Sequence, residues 1–164
     1  MRRLLVAFPW VLVSCAFPQP QTKVEFRDVV RRGEGQSEMY ERVVERPFDD
    51  VVASFRREQK QCLSRSIRRT NAQGHNVSSG ESHYRPTLNV LEPGRAEWVV
   101  QVEHVPKPVG SEMPPGGYFL AIVDVTAQGG RTQVTVYGPG IGHDDLMAAF
   151  GMWADGERVD CPLE

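Results

Sequence analysis

The chain has 164 residues, with 19 basic and 21 acidic side chains, a net charge of −2, 40% hydrophobic residues and three cysteines. That slightly acidic balance leaves no electrostatic footprint for nucleic acid. The length suits a single domain with a substantial core.

Arg2 and Arg3 open the chain, and residues 4–13 form an apolar run broken at Pro9. A membrane-spanning helix needs about 20 apolar residues, so the run is too short to span. A charged start, a short apolar stretch and a small residue before the cut are the pattern of a secretory signal. The tetrapeptide Leu12-Val13-Ser14-Cys15 resembles the lipobox of bacterial lipoproteins. The plainer alternative is an ordinary signal peptide, or an apolar N-terminus, with an incidental cysteine. In that family the cysteine thiol takes a diacylglyceryl group and cleavage leaves it as the acylated first residue. The resemblance thus implies a signal peptide at 1–14, lipidation at Cys15 and a palmitate-type membrane anchor. Diacyl plus N-acyl chains are ample for stable anchoring, since two signals suffice. Ala16 and Phe17 follow. Neither is the acidic residue that retains such proteins at the inner membrane, so the resemblance implies the periplasmic face of the outer membrane.

Removing residues 1–14 takes away two arginines, leaving 17 basic against 21 acidic residues, net −4. With Cys15 acylated, Cys62 and Cys161 remain as a pair, and in an oxidising compartment they are expected to form a disulfide. Two buried free thiols are the alternative. No C-x-x-C motif and no histidine adjacent in sequence points to a catalytic thiol.

Residues 16–23, AFPQPQTK, read as a tether reaching about 15 Å, with one globular domain over 24–164. VEFRDVV (24–30) partly alternates and reads as an edge-like strand, and MYERVVE (39–45) as a second. Pro47 suits the first turn of a helix, and Asp49 and Asp50 follow where the helix dipole favours negative charge. Phe48, Val51, Val52, Phe55 and Cys62 fall on or near one face of this helix. SRSIRRTN (64–71) is a weak strand whose Arg65, Arg68 and Arg69 suit either a solvated face or anionic headgroups. QGHNVSSGE (73–81) reads as a turn, and HYRPTLNVLE (83–92) as a strand placed at an edge by Pro86. AEWVVQVEHV (96–105) puts Ala96, Trp98, Val100 and Val102 on one face. GYFLAIVDVTAQGGRTQVTVYG (117–138) reads as a hairpin, with Thr132, Val134 and Val136 alternating against Gln133, Thr135 and Tyr137. The intervening 105–117 loop is rich in proline and glycine. HDDLMAAFGMWADGE (143–157) predicts a last helix, with Leu146, Met147, Phe150 and Trp153 on one face and Gly156 as its stop.

This order predicts an α+β fold, an antiparallel sheet packed against two helices on one face. At the level of element order it resembles the helix-grip layout of START-like lipid-binding proteins, and domains in accessory lipoproteins of the outer-membrane barrel-assembly machine.

YGPGIGHDD (137–145) follows a strand and opens a helix, the setting of a phosphate-cradling loop. However, the strand belongs to an antiparallel hairpin, and His143 stands where a third glycine is needed. His75, His83, His104 and His143 show no metal spacing, and no serine sits in a G-x-S-x-G elbow. Glu97 and Glu103 are six residues apart on one strand, roughly 20 Å, too far to act together. No catalytic, metal or cofactor set emerges. Trp98, Tyr118, Phe119, Tyr137, Phe150 and Trp153 are either core or, if the last helix covers the sheet incompletely, the lining of an apolar pocket. The reading is a non-enzymatic accessory lipoprotein of the cell envelope, held to the membrane by its lipid. It binds an envelope protein partner, with the 105–117 loop and the sheet edge as candidate surfaces. The alternative is a carrier or sensor of a small apolar ligand held between sheet and helices.

Overall fold

The computed structural model describes residues 19–73, 76–108 and 112–163, with side chains outside 71–78. The expected signal segment, Cys15, residues 16–18 of the tether and His75 lie outside the described residues.

The first element corrects the sequence reading. Residues 24–30 belong to helix α1 (Lys23–Arg31), not to a strand. Thr22 Oγ1 accepts from the Glu25 N–H at 3.2 Å, while the Glu25 carboxylate accepts from the Gln21 N–H at 2.8 Å. Thr22-Lys23-Val24-Glu25 has the capping-box sequence: Thr22 satisfies an N–H that a helix start otherwise leaves orphaned, and Glu25 reaches back to the residue before the cap. Phe26 and Val30, four residues apart, are buried together, whereas Val24 points out at 67% exposure. The expected tether is correspondingly shorter, because its last residues cap and begin the helix.

A short 3₁₀ turn, Glu34–Gln36, leads into β1 (Ser37–Val44), followed by α2 (Phe48–Glu58). Pro47 is the N-cap of α2, and Val51, Val52 and Phe55 form its buried face. A π-helical turn, Gln59–Leu63, continues α2 and carries Cys62 inward. Then come β2 (Ser66–Gln73), β3 (Asn76–Glu92), β4 (Arg95–Val105), β5 (Tyr118–Gln128), β6 (Arg131–Pro139) and α3 (Asp144–Asp155). All six strands form one antiparallel sheet in the order β1-β6-β5-β4-β3-β2. No helix among the described residues is long and apolar enough to cross a membrane.

The turn expected at 73–81 is far shorter than its composition suggests, since β3 already begins at Asn76 and absorbs the serines and Gly80. Pro86 lies beyond the last β2–β3 pair, Ser66 with His83, so β3 is locally an edge there. That is where a residue without an N–H is tolerated. Gly129 and Gly130, with φ of +56° and +90°, close the β5–β6 hairpin. Two consecutive left-handed residues are what a tight hairpin turn requires.

Strand alternation divides the sheet into two faces. Ala96, Trp98, Val100, Val102, Val123, Val125, Val134 and Val136 face α2 and α3 and form the main core with Phe55, Leu146, Met147, Phe150 and Trp153. Val99, Ile122 and Tyr137 face the other way and meet Phe26 and Val30 of α1. Two helices thus share the inner face as expected, and a third, unforeseen, covers part of the outer face. Cys62 and Cys161 form a disulfide spanning 99 residues, which ties the end of α2 to the C-terminal tail. Leu163 of that tail is buried in the main core.

Candidate functional site

The space between the sheet and α2/α3 is occupied by aromatic rings. Trp98 on β4 lies 4.9 Å from Phe55, 5.4 Å from Phe150 and 5.8 Å from Trp153, measured between ring centroids. All four side chains are fully buried. The tilted and edge-on geometries are those that aromatic pairs prefer. Both indole N–H groups are buried without an acceptor among the described residues, so these rings serve as apolar mass. Of the six side chains grouped as a pocket, the structure brings together Trp98, Phe150 and Trp153. Tyr118 is half-buried at the edge of that cluster. Tyr137 is a correction: it belongs to the opposite face of the sheet, with Phe119 beside it.

The outer face carries a part-buried ion network that the sequence reading missed. Glu97 on β4 and Asp124 on β5 are register partners. Like charges directly opposite one another destabilise a sheet. Arg27 of α1 resolves the conflict, donating to Asp124 at 2.6 and 3.0 Å and to Glu97 at 2.5 Å. Lys23, one turn earlier, also donates to Glu97 at 2.5 Å. Burial pushes the Glu97 carboxyl up, but the hydrogen bonds and charges of Arg27 and Lys23 outweigh it and hold the group below its ordinary value. Arg27 and Arg31 also lie over the Tyr137 ring, and Arg31 donates to its hydroxyl at 3.1 Å. The network fastens α1 to the sheet through both carboxylates.

Beside α1 lies an open cleft of about 280 Å³. It is lined by Phe26 and Val29 of α1, by Phe119 and Leu120 of β5 and Pro139 of β6, and by Pro20. Arg32 and Glu34 on its rim pair with each other at 2.6 Å.

Several features cluster at one end of the sheet. The last β3–β4 pair is Glu81 with Val105, yet β2 and β3 continue together through five further pairs, from Arg69–Gly80 to Gln73–Asn76. They form a two-stranded arm extending about 16 Å beyond β4. The 105–117 loop leaves from the same end. Its return is held by Gln101, whose Nε2 donates to the carbonyls of Pro115 and Gly117. Gly117 is required there, because a Cβ would sit 2.6 Å from the Val102 carbonyl oxygen. A polar recess of about 260 Å³ between the arm and the start of α3 is lined by Arg69, Tyr84, His143, Asp144 and Asp145.

Two serine–histidine hydrogen bonds lie among these groups. His83 and His104 each share a hydrogen bond with a serine, Ser66 and Ser82 respectively, and Glu103 pairs with Arg85. Among the described residues no three histidine, cysteine or acidic side chains converge as a metal site.

No family model matches the chain, and no curated protein matches it. Among solved structures it is similar to protein Ms6760 from Mycobacterium smegmatis, at 11% identity and TM-score 0.33, covering 74% of this chain and 89% of that one. It is also similar to DynU16, a putative protein in the dynemicin biosynthetic locus, at 14% identity and TM-score 0.31, covering 73% and 44%. A protein from Arthrobacter aurescens gives 11% identity and TM-score 0.28, covering 74% and 79%. Overlaps of this extent carry no inference about function.

Proposed function

We propose that the protein is a lipid-anchored accessory protein of the bacterial cell envelope, held at the periplasmic face of the outer membrane. It works by binding an envelope protein rather than by catalysis. The observation that carries this reading is the β2–β3 arm. Among the described residues neither strand pairs with a further strand beyond the end of β4, and a free strand edge is a template for adding a partner's strand. A two-stranded hairpin alone is marginally stable in water, so a partner strand would also stabilise it. The arm projects from the end of the sheet where the N-terminal strap meets the domain and the 105–117 loop lies. Gln21 Nε2 donates to the Glu112 carbonyl there. An anchor at Cys15 would therefore turn this end, and the arm, towards the membrane, and the partner would be a protein of that same membrane.

The carrier reading has less support, because the space between sheet and helices is filled by Trp98, Phe55, Phe150 and Trp153. The test is a benzophenone amino acid placed at Ser79 in the arm, with Asp28 on α1 as a control, in the full chain within native membranes. A discrete protein adduct from position 79 and none from position 28 is expected. Adducts to lipid alone would assign the arm, with its exposed Arg68 and Arg69, to headgroups and overturn the partner reading. No adduct from either position would do the same.

A further inference from the structure

The apolar cleft beside α1 is left unused by the interaction reading, and its geometry points to an occupant within the chain itself. Gln19 and Pro20 line it, and Gln19 is the first residue described. The strap there is fixed. Gln21 Nε2 donates to the Gln19 carbonyl at 2.9 Å and to the Glu112 carbonyl at 3.3 Å, and the Gln21 N–H donates to Glu25. Residues 16–18, Ala-Phe-Pro, precede Gln19 directly in the chain. Phe17 is the only large apolar side chain among them, and its Cα lies within about 7 Å of that of Gln19. A residue that precedes proline, as Phe17 does, disfavours the helical region. A 150 Å³ apolar cavity is known to hold a benzene ring, so a cleft of about 280 Å³ takes the Phe17 ring with room for Pro18. The Arg32–Glu34 pair neutralises the rim, which suits an uncharged occupant.

We infer that Phe17 docks in the cleft formed by Phe26, Val29, Phe119, Leu120 and Pro139, fastening the N-terminal strap to the outer face of the sheet. The docking itself does not depend on acylation. Its consequence rests on the proposed anchor: with Phe17 seated, Cys15 is two residues from the protein surface, and the domain is held in one orientation instead of swinging on a tether.

The test places a benzophenone amino acid at position 17 of the full chain, irradiated in native membranes, with cross-links mapped by tandem mass spectrometry. Cross-links within the same chain to Phe26, Val29, Phe119 or Leu120 are expected, with their loss when Val29→Trp fills the cleft. In a second measurement, Phe17→Ala should speed amide exchange over residues 26–31 by about tenfold, from the lost burial of one aromatic ring. Cross-links to lipid, to a second copy or elsewhere on the domain, together with unchanged exchange, would overturn the inference. The intact mass of the same sample separates the two ideas. A chain without acyl groups that still cross-links into the cleft removes the anchor and leaves the docking standing.

Discussion

On the inner face of the sheet, α2 and α3 bury a continuous apolar layer centred on Trp98, and a disulfide fastens the end of α2 to the C-terminal tail. On the outer face a nine-residue helix lies over a much smaller apolar patch, where Arg27 and Lys23 add ion pairs to Glu97 and Asp124. Apolar burial is non-directional and spread over many contacts. An ion network depends on a few groups and on their protonation. The inner face should therefore behave as part of the global fold, and α1 as a local unit that opens without the rest.

The largest effect is expected from Trp98→Ala, about 3–5 kcal/mol lost from global stability in denaturant unfolding, because the ring has no route to replacement at the centre of the core. Next comes the bridge. Replacing Cys62 and Cys161 with serine should cost about 2–4 kcal/mol, again read as one cooperative transition. Arg27→Met should act differently, since it leaves Glu97 and Asp124 side by side with only Lys23 to answer them. It is expected to speed amide exchange in α1 by the equivalent of about 1–3 kcal/mol, with exchange in β4 and β5 unmoved. If it lowers the global midpoint as far as Trp98→Ala does, the division between the faces fails. The mildest effect is that of acid. The Glu97 carboxyl is held below its ordinary value of 4.5, so its contribution is complete above that value and is lost as the pH falls through the folded value. Protection of α1 should fade below about pH 4.5 in exchange measurements, while Phe150 and Trp153 stay packed.

The same division separates what the sequence disclosed from what it withheld. Strand alternation was legible, and it put Ala96, Trp98, Val100 and Val102 on one face as observed. It also set Tyr137 against Val136, and the structure puts Val136 on the Trp98 face and Tyr137 on the other. Helix α1 was misread because V-E-F-R-D-V-V satisfies both periods over seven residues, and only the cap at Thr22 and Glu25 decides between them. The Glu97–Asp124 pairing was out of reach. The β4–β5 connection is long, and the register slips beside Leu120, between the Val100–Ala121 and Gln101–Phe119 pairs, so no turn fixes which residues oppose one another. The arm was hidden for a different reason: serine and glycine in β3 have turn composition, and pairing with β2 overrides it.

Native mass spectrometry of the protein extracted from its own membranes in mild detergent tests the account most directly. The account predicts a chain that begins at acylated Cys15, carries one disulfide and remains bound to a second envelope protein. A chain with no acyl group, or one that travels alone with a small apolar ligand, would contradict it.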